Sequence, residues 1–515
     1  MDSDDDFMSG HSSGDEDFGL EVESDDGSLG DDFDEDEPDV GFSQKDLKPA
    51  KKAYEVDYKI YSPSEIQAHQ DKQIGEVSAV LGQPAEATAI LLRHLRWNKE
   101  RLIDLYMDRP EHVLEEAGLG PNTTTNPQTR VIKGFACDIC CEDSPGLESY
   151  ALRCGHRYCV DCYRQYLAQK IKDEGEAARI QCPTAGCNRI VDSKTLDLLV
   201  ASDLKNRYQV LLTRTYVDDK EHLKWCPAPN CEYAVDCVIK RKELDKIVPT
   251  VCCACKHRFC FGCTLNDHQP AACSLVKMWV KKCEDDSETA NWINANTKEC
   301  PKCSSTIEKN GGCNHMTCRK CKYEFCWICM GLWSEHGTSW YNCNRFEEKS
   351  GSDGRDAQAR SRQSLERYLH YYNRYANHEQ SAKLDKDLYQ KTQKKMMNLQ
   401  TASGMSWIEV QFLDTASHAL QLCRQTLKWT YAFAYYLQRN NFTEIFEQNQ
   451  KDLEMAVENL SEMFEKPTTE LADLRVDILD KTSYCNKRRV ILLDDTAQNL
   501  KDGEWKFNVD ISSKA

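Results

Sequence analysis

Residues 299–343 read ECPKCSSTIEKNGGCNHMTCRKCKYEFCWICMGLWSEHGTSWYNC, and this stretch decides the fold because it is dense in metal ligands. Eight of its side chains pair by spacing, which is enough to close two tetrahedral zinc sites. The pairs are Cys300 with Cys303, Cys318 with Cys321, Cys326 with Cys329, and His336 with Cys343. Structural zinc takes four protein ligands and no more. The stretch therefore predicts a metal-bound module in which Cys313 is a spare thiol.

Cys313 follows Gly311-Gly312 and stands two residues before His315. A thiol close to an imidazole is the arrangement of a nucleophile with its base. The plainer alternatives are a structural role for Cys313 and an ordinary solvated loop position for His315. The pattern favours a zinc-scaffolded cysteine enzyme.

A block of ligands nearer the N-terminus has the order of a RING domain. The block consists of Cys137, Cys140, Cys154, His156, Cys159, Cys162, Cys182 and Cys187. Its single His stands fourth, which is typical of a cross-braced RING, where alternate pairs share a metal ion. The two predicted zinc sets are Cys137, Cys140, Cys159 and Cys162, and Cys154, His156, Cys182 and Cys187.

A third block lies between these two. It consists of Cys226, Cys231, Cys253, Cys255, Cys260, Cys263, His268 and Cys273. The neighbouring Cys252 competes with Cys253 for one ligand place, because both spacings to Cys255 occur at zinc sites. Eight ligands in each of three blocks predict six structural zinc ions.

Acidic residues are concentrated at the N-terminus. Residues 1–40 contain 18 Asp or Glu and no Lys or Arg, so this tail holds the whole net charge of −18. The remaining 66 acidic and 66 basic residues balance, which argues against nucleic-acid binding. The composition of residues 1–42 predicts a disordered tail. No signal peptide or membrane span is expected, and the cysteines indicate zinc in a reducing compartment. The expected location is the cytoplasm, with the nucleus left open.

Helical signals flank the cysteine-rich blocks. Ser62-Pro63-Ser64-Glu65 is a capping box that predicts a helix to about Leu81. The runs AEATAILLRHL and KERLIDLYMD complete a predicted three-helix bundle over residues 55–120. Apolar spacing predicts a linker helix over 276–297, with a break near Asp285-Asp286, and four long helices over 358–510.

These motifs resemble one enzyme family over about residues 62–510. WCPAPNC, GGCNHMTC, FCWICMGLW, GMSWIEVQFL and YCNKRRVILL are similar to the RING–in-between-RING–RING (RBR) ubiquitin ligases, in particular the Ariadne subfamily. The resemblance implies a multidomain α protein with small zinc-stabilised α+β modules. Its domains would be a ubiquitin-associated (UBA)-like bundle (55–120), a first RING (134–200), an in-between-RING (IBR) domain (205–275), a catalytic second RING (298–345) and a four-helix Ariadne domain (358–510).

The resemblance also implies a mechanism. A ubiquitin-charged conjugating enzyme would dock on the first RING through Ile139 and Pro183, and Cys313 would accept ubiquitin as a thioester. With His315 as base, oriented by Glu324, ubiquitin would pass to a substrate lysine. The Ariadne helices would hold the enzyme inactive until the UBA-like domain binds a partner such as a neddylated cullin-RING ligase. No nucleic acid or membrane partner is expected.

Several alternatives stay open at this stage. The chain could be a RING scaffold that transfers ubiquitin directly, or a non-catalytic zinc module that binds nucleic acid. The UBA-like bundle could serve packing alone, and Ile139 could pack within its zinc knuckle. Asn188 stands after the last ligand of the first RING, where ordinary RINGs often have Arg, and this departure favours a relay through Cys313. Leu384-Asp385 stands where relatives place an aromatic–acid pair against the catalytic block, and the missing ring leaves that contact in doubt.

Overall fold

The computed structural model describes residues 51–120, 127–285, 297–309, 311–335, 343, 346, 357–403, 411–471 and 473–511. The predicted acidic tail lies outside the described residues, as do His336 and Asp286. In the part of the chain that the structure describes, no helix is both long and apolar enough to span a bilayer.

A reciprocal capping box begins the first helix. The Glu65 backbone N–H donates to Ser62 Oγ at 3.4 Å, and Glu65 Oε2 accepts from the Ser62 N–H at 2.8 Å. The helix ends at Gly82, whose φ of 65° favours glycine. The N-terminal unit consists of β1 (Lys59–Tyr61), α1 (Pro63–Leu81), α2 (Ala85–His94), α3 (Lys99–Asp108) and α4 (Pro110–Glu116). The short α4 is one helix more than the three expected, and Pro110 occupies its first turn.

The first RING combines a three-stranded antiparallel sheet with helices. Its elements are β2 (Arg130–Val131), β3 (Glu148–Ala151), β4 (Arg157–Cys159), α5 (Val160–Ala168), α6 (Ser193–Leu199) and α7 (Ser202–Asp218). Tyr150 and Tyr163 are fully buried between sheet and helix, with ring centroids 5.6 Å apart. Tyr216 of α7 packs edge-on against Trp97 at 4.7 Å, so α7 joins the RING to the N-terminal bundle.

The IBR domain is built on two small antiparallel sheets. Its strands are β5 (Leu223–Trp225), β6 (Ala234–Asp236), β7 (Thr250–Cys252) and β8 (Arg258–Cys260). The N-terminal β1 adds to β6, with Ile60 opposite Val235. Helix α8 (Cys273–Asp285) follows, beginning three residues before the predicted linker helix. Its fully buried Trp279 packs on Tyr375 and Tyr435, at centroid distances of 5.4 and 5.3 Å, and so attaches the IBR domain to the C-terminal helices.

The second RING consists of two hairpins. They are β9 (Thr297–Glu299) with β10 (Thr306–Glu308), and β11 (His315–Thr317) with β12 (Glu324–Cys326). Cys313 lies in the connection between β10 and β11.

The described part of the C-terminal unit is mainly helical. It comprises α9 (Ala357–Ser403), α10 (Phe412–Tyr436), α11 (Asn441–Glu465), α12 (Thr468–Leu471) and α13 (Arg475–Asp502). Four of these helices are long, and α12 is a single short turn after Pro467. Helix α10 is buried over most of its surface because α9, α11 and α13 all pack against it. The buried face of this bundle also carries the polar side chains that cover Cys313.

Candidate active site and metal sites

The structure brings the first-RING ligands together in the two sets predicted from alternate pairing. Cys137 and Cys140 meet Cys159 and Cys162, while Cys154 and His156 meet Cys182 and Cys187. Within each set all ligand atoms lie within 4.8 Å of one another.

The spacing of the sulfur atoms fits tetrahedral zinc. The Cys140–Cys159 and Cys154–Cys182 sulfur atoms are each 3.7 Å apart. A tetrahedron with zinc–sulfur bonds of about 2.3 Å has edges of about 3.8 Å. The donor atoms, thiolate sulfur and imidazole nitrogen, are those that zinc prefers. These sites therefore fit structural zinc in geometry and in chemistry.

The IBR ligands form two consecutive sets rather than interleaved ones. The sets are Cys226, Cys231, Cys253 and Cys255, and Cys260, Cys263, His268 and Cys273. Cys253 belongs to the first set, whereas the Cys252 thiol donates to the Cys253 carbonyl at 3.8 Å. His268 Nε2 lies 3.2 Å from Cys263 Sγ, and His268 Nδ1 donates to the Ala271 carbonyl at 2.8 Å. That second hydrogen bond fixes which ring nitrogen faces the metal position.

In the second RING, four of the eight predicted ligands form one complete set in the described residues. Cys300, Cys303, Cys318 and Cys321 come together, with Cys300 and Cys321 sulfur atoms 3.6 Å apart. Three members of the other set, Cys326, Cys329 and Cys343, have mutually interacting thiols. The remaining predicted ligand, His336, lies outside the described residues.

Cys313 belongs to none of the five complete sets described above, and C-terminal helices cover it. Its side chain is 3% exposed, and its thiol donates to the Glu458 carbonyl of α11 at 4.0 Å. Burial, followed by the nearby Glu458 carboxylate, raises the pKa of the Cys313 thiol well above its usual value. The candidate nucleophile is thus both enclosed and held in its protonated form.

Two carboxylates of α11 cap the backbone of the cysteine loop. The Cys313 N–H donates to Glu465 Oε1 at 3.4 Å, and the Asn314 N–H donates to Glu458 Oε2 at 2.6 Å. The Asn314 amide Nδ2 donates to Glu458 Oε1 at 3.0 Å. Every one of these hydrogen bonds joins the second RING to the Ariadne-like helices.

A buried arginine links the helices over the site. Arg424 of α10 is fully buried, and its guanidinium binds Asp385 at 2.7 Å and Glu458 at 3.1 Å. Asp385 in turn lies against Gly312, where an added Cβ would stand 2.5 Å from Asp385 Oδ1 and 2.9 Å from Arg424 Nη2. The acidic partner at the Leu384-Asp385 position therefore does contact the catalytic block. The absence of a side chain at Gly312 permits this close approach.

Lys309 adds a buried cation on the second-RING side. Its Nζ donates to Asn314 Oδ1 at 2.9 Å, to Asn377 Oδ1 at 2.9 Å and to Ser381 Oγ at 3.1 Å. Burial lowers the pKa of Lys309 to about 8. Lys309 thus connects the cysteine loop to α9.

His315 is half-enclosed beside the thiol. The His315 backbone N–H donates to Cys313 Sγ at 3.4 Å, a contact that favours the thiolate. Its ring stacks on Trp333 with centroids 4.2 Å apart, and its Nε2 lies 3.4 Å from Glu324 Oε2. The structure therefore places Glu324, the predicted orienting acid, beside the ring of His315, and places the backbone of His315 beside the Cys313 sulfur.

The predicted docking residues lie on the first RING, away from this centre. Ile139 is 50% exposed, so its side chain does not pack within the zinc knuckle. Pro183 is half-buried, and the nearby Asn188 is exposed. An exposed aliphatic side chain between two metal ligands is suited to a protein contact.

Sequence inspection missed five residues around the thiol. They are Lys309, Asn314, Arg424, Glu458 and Glu465. One signal was present: Arg424 stands between Leu420 and Leu427 on an apolar helix face, and such a charge needs a buried partner. Nothing in the sequence indicated that the partners would meet at Cys313.

Family models match four regions of the chain. They are described as "E3 ubiquitin-protein ligase ARIH1, UBA-like domain" (residues 68–108), "IBR domain, a half RING-finger domain" (206–273), "IBR domain" (295–344) and "Ariadne domain" (366–482). The matches cover the N-terminal bundle, the two later zinc modules and the C-terminal helices.

Curated relatives match nearly the whole chain. The E3 ubiquitin-protein ligase dbl4 of Schizosaccharomyces pombe is 52% identical over 475 residues, which is 92% of this chain and 93% of the relative. The E3 ubiquitin-protein ligase ariadne-1 of Drosophila melanogaster is 44% identical, over 96% of this chain and 99% of the relative. The human E3 ubiquitin-protein ligase ARIH1 is 43% identical, over 87% and 82%.

Proposed function

The chain belongs to the Ariadne subfamily of RBR E3 ubiquitin ligases, and on this premise we propose that it transfers ubiquitin through a thioester on Cys313. As a ubiquitin transferase it works with ubiquitin and a ubiquitin-conjugating enzyme. The observation that carries the proposal is a thiol outside the described zinc sets, with a histidine and a glutamate beside it. A location in the cytoplasm stays a prediction.

Ubiquitin would be accepted in a thiol exchange and released in an aminolysis. A cysteine needs little help to attack a thioester, because even a small thiolate fraction is highly nucleophilic. The second step differs, because the attacking lysine must lose a proton. His315 is the base for that step, and Glu324, 3.4 Å away, orients its ring. Stacking on Trp333 holds the ring in place.

Zinc is the proposed structural cofactor, with six ions. Each ion would be held by four protein ligands and would cross-link chain segments that are too short to build an apolar core. Four sets lie in the first RING and the IBR domain, and two lie in the second RING. The last set is Cys326, Cys329, His336 and Cys343.

The C-terminal helices are proposed to hold the enzyme inactive. The closed arrangement shields Cys313 from a bulky ubiquitin thioester, and the Glu458 carboxylate opposes formation of the thiolate. Arg424 forms ion pairs with that carboxylate and with Asp385 at the same time. Breaking a buried charge pair costs about 3–5 kcal/mol, which is enough to keep the site closed until a partner contributes binding energy.

The activating partner is proposed to bind the UBA-like bundle. A neddylated cullin-RING ligase is the candidate that the family resemblance implies. Val80, Leu105 and Met107 of the bundle are exposed apolar side chains that could meet such a partner. The substrates that receive ubiquitin are proteins with an accessible lysine.

One experiment separates this relay from a RING scaffold that transfers ubiquitin directly. The full-length chain carrying Glu458→Ala, which opens the site, is mixed with a ubiquitin-charged conjugating enzyme. Adding Cys313→Ser should trap ubiquitin as an ester that survives reductant on a gel. Cys141→Ser is the matched control, because Cys141 is an exposed thiol outside the described metal sets. Transfer to lysine without an ester in the Cys313→Ser protein would favour the scaffold.

A further inference from the structure

Three N–H groups of the cysteine loop point at carboxylate oxygens of α11. The donors are the backbone N–H of Cys313, the backbone N–H of Asn314 and the side-chain amide of Asn314. Their acceptors are Glu465 Oε1 and both carboxylate oxygens of Glu458, at 3.4, 2.6 and 3.0 Å. The loop therefore presents a concentrated set of donors to negatively charged oxygen.

These donors belong to Cys313 itself and to the next residue, so they lie beside the sulfur that a thioester would meet. Attack by sulfur converts the thioester carbonyl oxygen into an oxyanion, which enzymes stabilise with donors about 2.7–3.1 Å away. A backbone N–H of the nucleophile together with an asparagine amide is a donor pair suited to this task. In the closed enzyme, the carboxylates of Glu458 and Glu465 accept hydrogen bonds from these same donors.

We propose that Cys313 and Asn314 form the oxyanion-binding site of the ubiquitin relay, and that Glu458 and Glu465 occupy it in the closed state. Asn314 is then a catalytic residue, because its amide contacts the reacting oxygen. The inference rests on the proposed function, since it assumes that Cys313 is acylated. When α11 moves away, the three donors lose their carboxylates and receive the thioester oxygen.

The reaction balances as a thiol exchange. Cys313 loses its proton to solvent, and its sulfur forms a bond to the carbonyl carbon while the π electron pair moves onto oxygen. The three N–H groups hold that oxyanion. The pair then returns to re-form the carbonyl, the bond to the original thiol breaks, and that thiol leaves as a thiolate.

Lys309 is the positioning residue of this site. Its ammonium has only donors, so it can bind Asn314 only through the amide oxygen, at 2.9 Å. The amide NH₂ must therefore face Glu458, which has only acceptors when ionised. Without Lys309, the amide of Asn314 could turn its oxygen toward the reacting carbonyl, where it would repel the oxyanion.

The test compares acylation and alkylation of Cys313 in the full-length chain carrying Glu458→Ala. The opened background is needed because Asn314 also contributes to closure. Acylation is measured in single turnover with ubiquitin that carries a C-terminal mercaptoethanesulfonate thioester, over a range of concentrations. Alkylation is measured with iodoacetamide, which reacts with the thiol without forming an oxyanion.

Adding Asn314→Ala should lower the maximal acylation rate about 100-fold, with little change in the half-saturating concentration. The iodoacetamide rate should stay within about twofold, because only the acylation needs the donors. Lys309→Met should lower acylation about tenfold with the same alkylation rate. The matched control is Asn206→Ala, an exposed asparagine of α7 in the first RING, and it should leave both rates unchanged.

The possible outcomes are distinguishable. If the parent's Cys313 is alkylated rapidly by iodoacetamide, which shows that the site is open, and yet forms no thioester, the proposed function itself is wrong. If the parent is acylated and Asn314→Ala is acylated equally fast, the oxyanion role is wrong. Equal loss of acylation and alkylation would show that Asn314 only maintains the loop, which also overturns the inference.

Discussion

The first and second RING modules arrange their ligands differently. In the first, alternate pairs share a set, so Cys137 and Cys140 join Cys159 and Cys162 across the module. In the second, consecutive pairs form a set, so Cys300 and Cys303 join Cys318 and Cys321. Consecutive pairing leaves residues 304–317 as a loop anchored at both ends by one metal position. That loop can carry a thiol that no metal requires.

The two modules also differ in how far their candidate functional side chains are exposed. Ile139 of the first RING is 50% exposed, whereas Cys313 of the second is 3% exposed. The surface proposed for partner docking is open while the proposed nucleophile is closed. Under the proposed function, this difference means that inhibition would act on the chemistry at Cys313 and would leave the docking surface on the first RING available.

Opening the second RING tests this contrast most strongly. Glu458→Ala removes a carboxylate that binds both Arg424 and the Asn314 N–H, and loss of a buried charge partner costs about 3–5 kcal/mol. We expect Cys313 to react with iodoacetamide at least about 100-fold faster, as mass spectrometry of the alkylated peptide would measure. Glu470→Ala, at an exposed position beyond α11, is the control. An unchanged rate would mean that the carboxylate does not hold the site closed.

The histidine beside the thiol should matter for one half-reaction only. In the opened protein, His315→Ala should slow discharge of ubiquitin to free lysine about 100-fold, because a base accelerates deprotonation of the amine. Loading of Cys313 should survive. Single-turnover loading and pulse-chase discharge measure the two steps separately. Equal loss of both would contradict a base role confined to release.

The closed state should depend on pH through two opposing groups. Above about 8.5 an open thiol ionises whereas the closed Cys313 keeps its proton, so rising pH favours opening. The Lys309 pKa is about 8 when closed and near 10.4 when free, so between these values rising pH favours closing. The two effects nearly cancel in the unchanged chain.

Variants that remove one of the two titrating groups should show the effect of the other group on opening, and the two effects should have opposite signs. From pH 8.5 to 9.5, Lys309→Met should favour opening by up to about tenfold, and Cys313→Ser should favour closing by up to about tenfold. Hydrogen exchange of α11 amides, corrected for the intrinsic rate, measures the populations. Exchange in the first RING should not change. If rising pH shifted both variants in the same direction, Lys309 and Cys313 would not be the two groups that oppose each other.

Ligand spacing carried most of what the sequence could tell about the zinc modules. The ligands of a site stand on short knuckles, so their separation along the chain constrains their geometry directly. The capping box at Ser62 is predictable for the same reason, because its hydrogen bonds join residues three apart. The family resemblance supplied the domain order, and the family matches confirm the Ariadne-type architecture.

Long-range polar contacts could not be predicted in the same way. Glu458 meets Asn314 across 144 positions of sequence, and a glutamate on a long helix is ordinarily a solvated side chain. Strand β1 was missed because three residues carry too little periodicity, and it forms only by pairing with β6 of a distant module. Both features depend on tertiary packing, which leaves little local pattern.

The smallest expected effect concerns Ile139, the exposed side chain proposed for docking on the first RING. Ile139→Ala should weaken binding of a ubiquitin-charged conjugating enzyme about fivefold, because docking would bury the exposed half of its side chain, worth about 1 kcal/mol. Ile132→Ala is the matched control, an exposed isoleucine of the same module outside the metal knuckles. Titration should give the same ratio of dissociation constants, with and without Ile139→Ala, in the unchanged chain and in the chain carrying Glu458→Ala. A ratio that differs more than twofold between these backgrounds would mean that the closed helices also act on the docking surface.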